Sequence, residues 1–359
     1  MINLNLFLTG STGFLGGRLI KNLLQHKENE VYILVRNVEK AERLRDSFQG
    51  DEQKRLHIFQ GDITIPNAGL SKDDLEWLTG KIDAVYHLAA LVKFDLELRD
   101  ELFAANYDGT KHILELASLL QVKKFYYVST AYTVGKLNKG VEELYPTDGE
   151  FHNPYEESKV KSEHLVYSYR NKMDVSIFRP AIIVGDSKTG EADSQFTLYG
   201  FMRALGVFKR KTARRKGEER TYRLVAAKNG TSNLVPVDYV ADILSLAPEK
   251  AQANKIYHIT NPNPPENIEL LKMLKEALQF ENLSVVENTG EYELDEEEVK
   301  LNTLIDVFKV YLAGALTFDD RNTQDLMEGT GVSHLDMSNE TIEMIIRTGC
   351  EPNGGKVTV

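Results

Sequence analysis

Cysteine is almost missing from this chain: Cys350 is the only one in 359 residues. No intramolecular disulfide can form, and a reducing compartment is the expected setting. Positive charge is also in short supply. Lys and Arg number 43 against 54 Asp and Glu, a net charge of -11, which argues against a general nucleic-acid binder, because such proteins present a cationic face to phosphates. No apolar run reaches the roughly 20 residues that cross a bilayer; the nearest, "VFKVYLAGAL", is broken by Lys309. The opening "MINLNLFLTGSTG" enters a strand and a glycine turn without the basic, apolar and cleavage regions of a leader, so a cytoplasmic protein is expected. The eight histidines show no metal-ligand spacing, and no metal site is expected. Tandem repeats and low-complexity tracts are absent as well. What is present is a 42% hydrophobic composition, enough at this length to bury the cores of two lobes.

The first half alternates short apolar runs with helix-length segments. "LNLFLT" (4–9), "VYILVR" (31–36), "RLHIFQ" (55–60), "IDAVYHL" (82–88), "KFYYVS" (124–129) and "VSIFRP" (175–180) read as buried strands. This is the pattern of an α/β fold with a doubly wound parallel sheet. After Pro180 the pattern loosens over a polar stretch from Gly185 to Gly230, then strand and helix signals return at "NLVPVDYVADILSLA" and "KIYHIT". Residues 1–185 and 231–260 are therefore expected to form a dinucleotide-binding domain. Residues 186–230 and 261–359 are expected to form a smaller, mainly helical substrate-binding lobe.

"LFLTGSTGFLGGRLI" places Gly10, Gly13 and Gly16 after a strand and at the start of an apolar-periodic helix, the context of a dinucleotide-binding turn. Gly10 makes the tight turn, Gly13 lets the backbone approach a pyrophosphate, and Gly16 lets helix and sheet pack closely. Ser11, Thr12, Phe14 and Leu15 complete the loop, whose helix end offers amide donors to phosphate. The plain alternative is a glycine-rich turn with no ligand. The second strand ends in Arg36, where an NAD site usually carries a carboxylate for the ribose hydroxyl; the nearest acid is Glu39, with Lys40 and Arg43 close by. An arginine there suits a 2′-phosphate, so NADP(H) is the expected cofactor.

Three Tyr-x-x-x-Lys pairs occur: Tyr107/Lys111, Tyr132/Lys136 and Tyr155/Lys159. Roughly one is expected by coincidence, so the spacing alone decides nothing. Only the third opens a helix with clear signals, namely Asn153 as N-cap, Pro154 in the first turn and Glu156 placed to reach back. On that helix Tyr155 and Lys159 share a face.

The order "TGSTGFLG", "GDIT", "VYHLAALVKF", "NYDGTKHILELA", "YYVSTAY", "PYEESK", "FRPAIIVGDSKTG", "VPVDYVAD" resembles the extended short-chain dehydrogenase/reductases over roughly residues 4–248. It is most similar to their male-sterility branch of fatty-acyl and thioester reductases. The resemblance puts Thr130 in the position of the catalytic Ser or Thr at the end of the fifth strand and makes Tyr155 and Lys159 its partners. Asp62 and Ile63 of "GDIT" resemble the adenine contact, Ala89 and Ala90 the small residues lining the cofactor, Asn106 the asparagine of the fourth helix, and Pro180, Ala181 and Ile182 the cofactor-facing turn. Asp238 in "VPVDYV" reads as an N-cap, and Ser129 is expected on the opposite side of the strand from Thr130.

The chemistry such a site performs follows from its groups. A free phenol titrates near about 10, too high for efficient acid–base work at neutrality, and an adjacent ammonium lowers it. Tyr155 would protonate the alkoxide that forms on hydride addition, Thr130 would donate to the same oxygen, and Lys159 would hold the nicotinamide ribose. The resemblance implies an NADPH-dependent reductase of an acyl thioester, CoA-bound or carrier-bound. The alternatives are a hydroxysteroid-type dehydrogenase, a nucleotide-sugar epimerase or dehydratase, and a non-catalytic NADP-binding protein. One basic run, "KRKTARRK" at 209–216, stands out in an acidic chain. It is an ordinary solvated face, or it attracts CoA phosphates, an acidic carrier or an anionic membrane surface.

Overall fold

The structure is a computed structural model that describes residues 3–194, 198–213, 220–225, 229–287, 293–304 and 315–351. Its strands in chain order are β1 (Asn5–Thr9), β2 (Glu30–Val35), β3 (Leu56–Gln60), β4 (Ala84–His87), β5 (Lys124–Val128), β6 (Lys139–Gly140) and β7 (Asp174–Pro180). They continue with β8 (Ile182–Val184), β9 (Tyr222–Val225), β10 (Leu234–Pro236), β11 (Lys255–Ile259), β12 (Leu283–Val286) and β13 (Thr317–Phe318). Seven of them form one sheet in the order β11-β7-β5-β4-β1-β2-β3, with every pairing parallel. The runs read from sequence as buried strands lie in this sheet because helices cover both of its faces, so both sides of each strand must be apolar.

Alternate side chains of the strands serve different cores. Leu6 and Leu8 join a cluster with Leu19, Ile20, Val240 and Leu244 from helices Phe14–Gln25 and Val237–Ser245. Phe7, on the other face, joins Ile113, Leu114 and Val166 from helices Gly109–Leu119 and Pro154–Ser168. The strand order reverses between β1 and β4. In such sheets the crevice outside the carboxyl ends of those two strands is where ligands bind, and it is bordered here by Gly10 and by the segment after His87.

A third cluster gathers Leu205, Leu274, Ile345 and Ile346 from helices Leu198–Ala213, Asn267–Leu278 and Asn339–Cys350. Among the described residues this second lobe is mainly helical and contains the parallel pair β9–β12, whose partners are far apart in sequence. One part of 261–359 packs elsewhere. Leu326 and Met327, on helix Arg321–Met327, belong to the cluster of Leu6 and Leu8, and Asn322 and Thr323 bond to the Ile256 and His258 carbonyls of edge strand β11. The expectation for Asp238 is corrected: Pro236 is the N-cap, and the Asp238 carboxylate accepts from Ser187 N at 2.9 Å and Ser187 Oγ at 2.5 Å. A second-position carboxylate is close enough to the helix end to take a loop from across the crevice. No helix among the described residues is long and apolar enough to cross a membrane, and no cluster of metal-ligating side chains occurs among them.

Candidate active site

Gly10 sits at φ +72°, and a Cβ on it would lie 2.7 Å from Ala89 N. Glycine is needed both for the conformation and for the close approach of β1 to the chain leaving β4. A Cβ on Gly16 would lie 2.3 Å from the Gly10 carbonyl oxygen, so that helix Phe14–Gln25 rests directly on the turn. Gly13 is the N-cap of this helix and provides no side-chain cap, which leaves first-turn amides available to an anion. The Ser11 hydroxyl is buried without a protein partner. Open amides beside a buried, unsatisfied hydroxyl fit a dinucleotide phosphate.

Ser11, Thr12, Gly13 and Phe14 border a cavity of about 730 Å³ that runs along the helix past Arg18, Lys21, Lys40 and Arg43. Arg36 stands exposed at the tip of β2 and shares a shallower cavity with Asp62. Burial would raise the Asp62 carboxyl, but hydrogen bonds from Thr64 N and Oγ1, helped by Arg36, hold it below the usual carboxylate value. Ile63 turns toward helix Gly109–Leu119, with its Cδ1 3.0 Å from where a Gly109 Cβ would be.

Asn106 lies in a widened turn, Ala104–Asp108, of the π type that recurs at functional sites. Its carbonyl is taken by Thr110 Oγ1 at 2.5 Å and Ser162 Oγ at 3.1 Å. Its amide clamps Leu91, accepting from Leu91 N at 2.7 Å and donating to Leu91 O at 3.0 Å and Ser158 Oγ at 3.1 Å. Asn106 thus fixes the segment after β4 and ties it to the Tyr155 helix. His87 contacts Thr9 Oγ1 and Thr110 Oγ1. Burial, with Lys159 nearby, holds its imidazole down at about 3, so it stays neutral.

The helix Pro154–Ser168 starts as its signals imply. Asn153 Oδ1 accepts from Glu156 N at 3.0 Å with Pro154 in the first turn, and the Glu156 carboxylate reaches back to His152 N at 2.9 Å. One turn on, Lys159 is 2% exposed and donates to Val128 O at 2.8 Å and Tyr127 Oη at 3.1 Å. Burial, partly opposed by Glu163, brings its ammonium down to about 7. Burial, with Glu156 adding to it, pushes the Tyr155 phenol well above the ordinary tyrosine value.

Tyr155 and Thr130 border the same cavity of about 250 Å³, together with Gly10, Gly13, Phe14, Leu15, Gly16, Ala90 and the turn Pro180, Ala181 and Ile182. Thr130 caps the short turn Ala131–Val134, accepting from Tyr132 N at 3.3 Å. Ala89, Asn106 and Lys159 do not border this cavity; Asn106 bonds to Leu91 and Lys159 to the carbonyl of Val128, which does. Of the other two tyrosines, Tyr107 packs against Phe103 and does not border the cavity, while Tyr132 does. Lys136, beyond the turn at Gly135, pairs with Glu150 instead of sharing a helix with Tyr132. Ser129, expected on the far side of the strand, also borders the cavity, and its buried hydroxyl has no protein partner, although Thr130 beside it keeps extended backbone. Phe94 is a further wall that sequence reasoning missed, edge-on to Tyr155 with ring centroids 6.0 Å apart. Of the basic run, Lys209, Arg210 and Lys211 end helix Leu198–Ala213, and Arg214, Arg215 and Lys216 fall outside the described residues.

The parallel sheet, the glycine turn at its switch point and the tyrosine helix facing it define an extended short-chain dehydrogenase/reductase. The chain belongs to the male sterility protein family, which it matches over residues 8–244. It is 30% identical over 285 residues to a linear gramicidin synthase protein of Brevibacillus parabrevis, covering 75% of this chain and 5% of that one. It is 30% identical over 290 residues to human (Homo sapiens) fatty acyl-CoA reductase 1, covering 68% of this chain and 54% of that one. The terminal R domain of the myxalamid PKS-NRPS pathway superposes with a TM-score of 0.76 at 26% identity, over 97% of this chain and 90% of that chain. The chain spans about half the length of the fatty acyl-CoA reductases it matches. The family is one of NAD(P)-dependent reductases.

Proposed function

We propose that this protein is an NADPH-dependent reductase that converts an acyl thioester, on CoA or a carrier, to an aldehyde or alcohol. The observation that carries the reading is the single cavity bordered by Thr130, Tyr155 and the glycine turn, in a chain related to fatty acyl-CoA reductases and to a linear gramicidin synthase. Bound NADPH supplies a hydride. Arg36 would hold its 2′-phosphate, the first-turn amides after Gly13 its pyrophosphate, and Lys159 its nicotinamide ribose. The sheet-bearing lobe would take the cofactor, and the acyl group would approach from the side of the second lobe, whose Ser194 borders the cavity.

As hydride adds to the thioester carbonyl carbon, the C=O electron pair moves onto oxygen. Tyr155 gives its proton to that oxygen and Thr130 donates to it, forming a hemithioacetal. Tyr155 is protonated at neutral pH and so has the proton to give, but burial and Glu156 raise its phenol instead of the lowering expected from Lys159, which makes it a weaker acid than a free phenol. The C–S bond then breaks, the carbonyl reforms, and the thiol leaves with the hydroxyl proton. Lys159, bonded to Val128 O and Tyr127 Oη one turn from Tyr155, would lower the phenol when charged and so ease release of its proton. The test is purified protein with NADPH and a panel of acyl-CoAs, ketosteroids, simple aldehydes and UDP-sugars, followed by nicotinamide absorbance. Consumption with acyl-CoAs and release of free thiol support the reading. Turnover of ketosteroids or UDP-sugars alone defeats it.

A further inference from the structure

Phe94 lies in the segment between β4 and the short turn Leu96–Leu98, and three of its relationships converge. Its ring stands edge-on to Tyr155, with centroids 6.0 Å apart and planes at 84°. It also packs, as Phe14 and Tyr132 do, against the hydrophobic cluster in which Ile182 and Val184 of β8 meet the second lobe's helices. Its backbone is held in place three residues upstream, where Asn106 clamps both the N–H and the carbonyl of Leu91. The ring is therefore a fixed wall between the proposed proton donor and the second lobe.

The cavity it closes holds about 250 Å³, at or below the roughly 300–1,000 Å³ usual for small-molecule sites. A nicotinamide must share that space. None of the described residues that border it carries a charge; besides backbone and hydroxyl groups, its walls are Leu88, Val92, Val128, Ile182 and Ile183 and the aromatic rings. A charged group would lose its hydration there without an ionic partner, whereas a short hydrocarbon would not.

We infer that Phe94 sets the acyl length of this enzyme, confining it to short, uncharged acyl groups whose far end stops against the ring. The inference rests on the thioester-reductase reading and adds the substrate class and the residue that selects it. Removing the ring opens space beyond Phe94, and a longer chain that gains apolar contact there is favoured by about tenfold.

The experiment measures kcat and KM for butanoyl-, octanoyl- and hexadecanoyl-CoA with the parent, Phe94→Ala and Phe94→Leu, alongside NADPH affinity and thermal melting. The parent should decline steeply with chain length. Phe94→Ala should raise the hexadecanoyl-to-butanoyl ratio of kcat/KM by roughly tenfold, mainly through KM, with Phe94→Leu intermediate. A ratio that stays within about twofold of the parent's in both variants overturns the inference, as does a parent that prefers the longest chain. Failure of the underlying reading looks different, since then no acyl-CoA oxidises NADPH in the parent. In that case the same length series run with aldehydes decides the role of Phe94 by the same ratio, and an absence of turnover with either series overturns both.

Discussion

Lys159 donates a 2.8 Å hydrogen bond to the Val128 carbonyl, which pins the tyrosine helix to the end of β5 two residues before Thr130. The bond is made by a buried ammonium, and a buried charge is costly unless it is well paired.

The cost has a pH signature. The Lys159 ammonium titrates at about 7 in the folded protein against 10.5 as its ordinary value. Between those values the unfolded chain holds a proton that the folded chain has shed, so this residue's contribution to stability rises with pH over that window. Below about 7 both states are charged and the burial cost is complete. Lys159→Met loses the bonds to Val128 and Tyr127 at every pH. Its melting temperature relative to the parent should nevertheless shift in the variant's favour on going from pH 9.5 to pH 6. Thermal unfolding at both values checks this; a shift in the other direction contradicts the assignment.

Tyr155→Phe keeps the ring that packs on Phe94 and removes only the hydroxyl. Turnover should fall by about 10²-fold or more while NADPH binding is nearly kept. Tyr107→Phe should be mild, since Tyr107 lies off the cavity. Tyr132 borders the cavity, so Tyr132→Phe is the sharper control. If it is inactive while Tyr155→Phe works normally, the roles are reversed.

Arg36→Ala tests cofactor choice. The guanidinium is exposed at the end of β2 with Asp62 across a shallow cavity, and its loss should weaken NADPH by roughly 1.5–3 kcal/mol, as for a charge-assisted bond. NADH binding should hardly change. Equal losses for both, measured by titration calorimetry, would point to general charge loss or local disorder.

Gly16→Ala tests the turn itself. The added methyl meets the Gly10 carbonyl oxygen, a backbone atom that cannot swing aside. Overpacking of this kind typically costs about 1–3 kcal/mol, and here it also displaces the amides proposed to bind phosphate. Lower melting temperature together with weaker binding of both NADPH and NADH is expected; a variant with normal affinity for both cofactors shows that the helix end is not the phosphate site.

How much of this was legible in the sequence depends on how local each constraint is. The glycine turn and the start of the Tyr155 helix were readable because their determinants lie within a few residues: a strand, a required positive φ, an N-cap and a proline. The sheet was readable because burial on both faces forces continuous apolar runs. The strand pair β9–β12 was not, since "YRLV" and "LSVV" become strands only through each other across about sixty intervening residues. Helix Arg321–Met327 was placed with the second lobe, yet Glu142, far upstream, accepts from its Asn322 N at 2.6 Å and from His258 N at 2.9 Å, drawing it onto the sheet edge. Phe94, quoted only as part of a motif, and Ser129, expected on the far side of the strand, were not assigned to the cavity, because bordering a cleft depends on where the chain goes after the strand ends.

The most direct test of the thioester-reductase claim follows the hydride. NADPH carrying deuterium at C4 is incubated with the protein and a short-chain acyl-CoA, and the products are trapped and analysed by mass spectrometry. The account predicts free CoA and an aldehyde, or the alcohol from it, with deuterium on the former carbonyl carbon, and loss of that label transfer in Tyr155→Phe. Intact acyl-CoA after prolonged incubation with an NADPH-binding protein, or CoA release without deuterium in the acyl product, would contradict it.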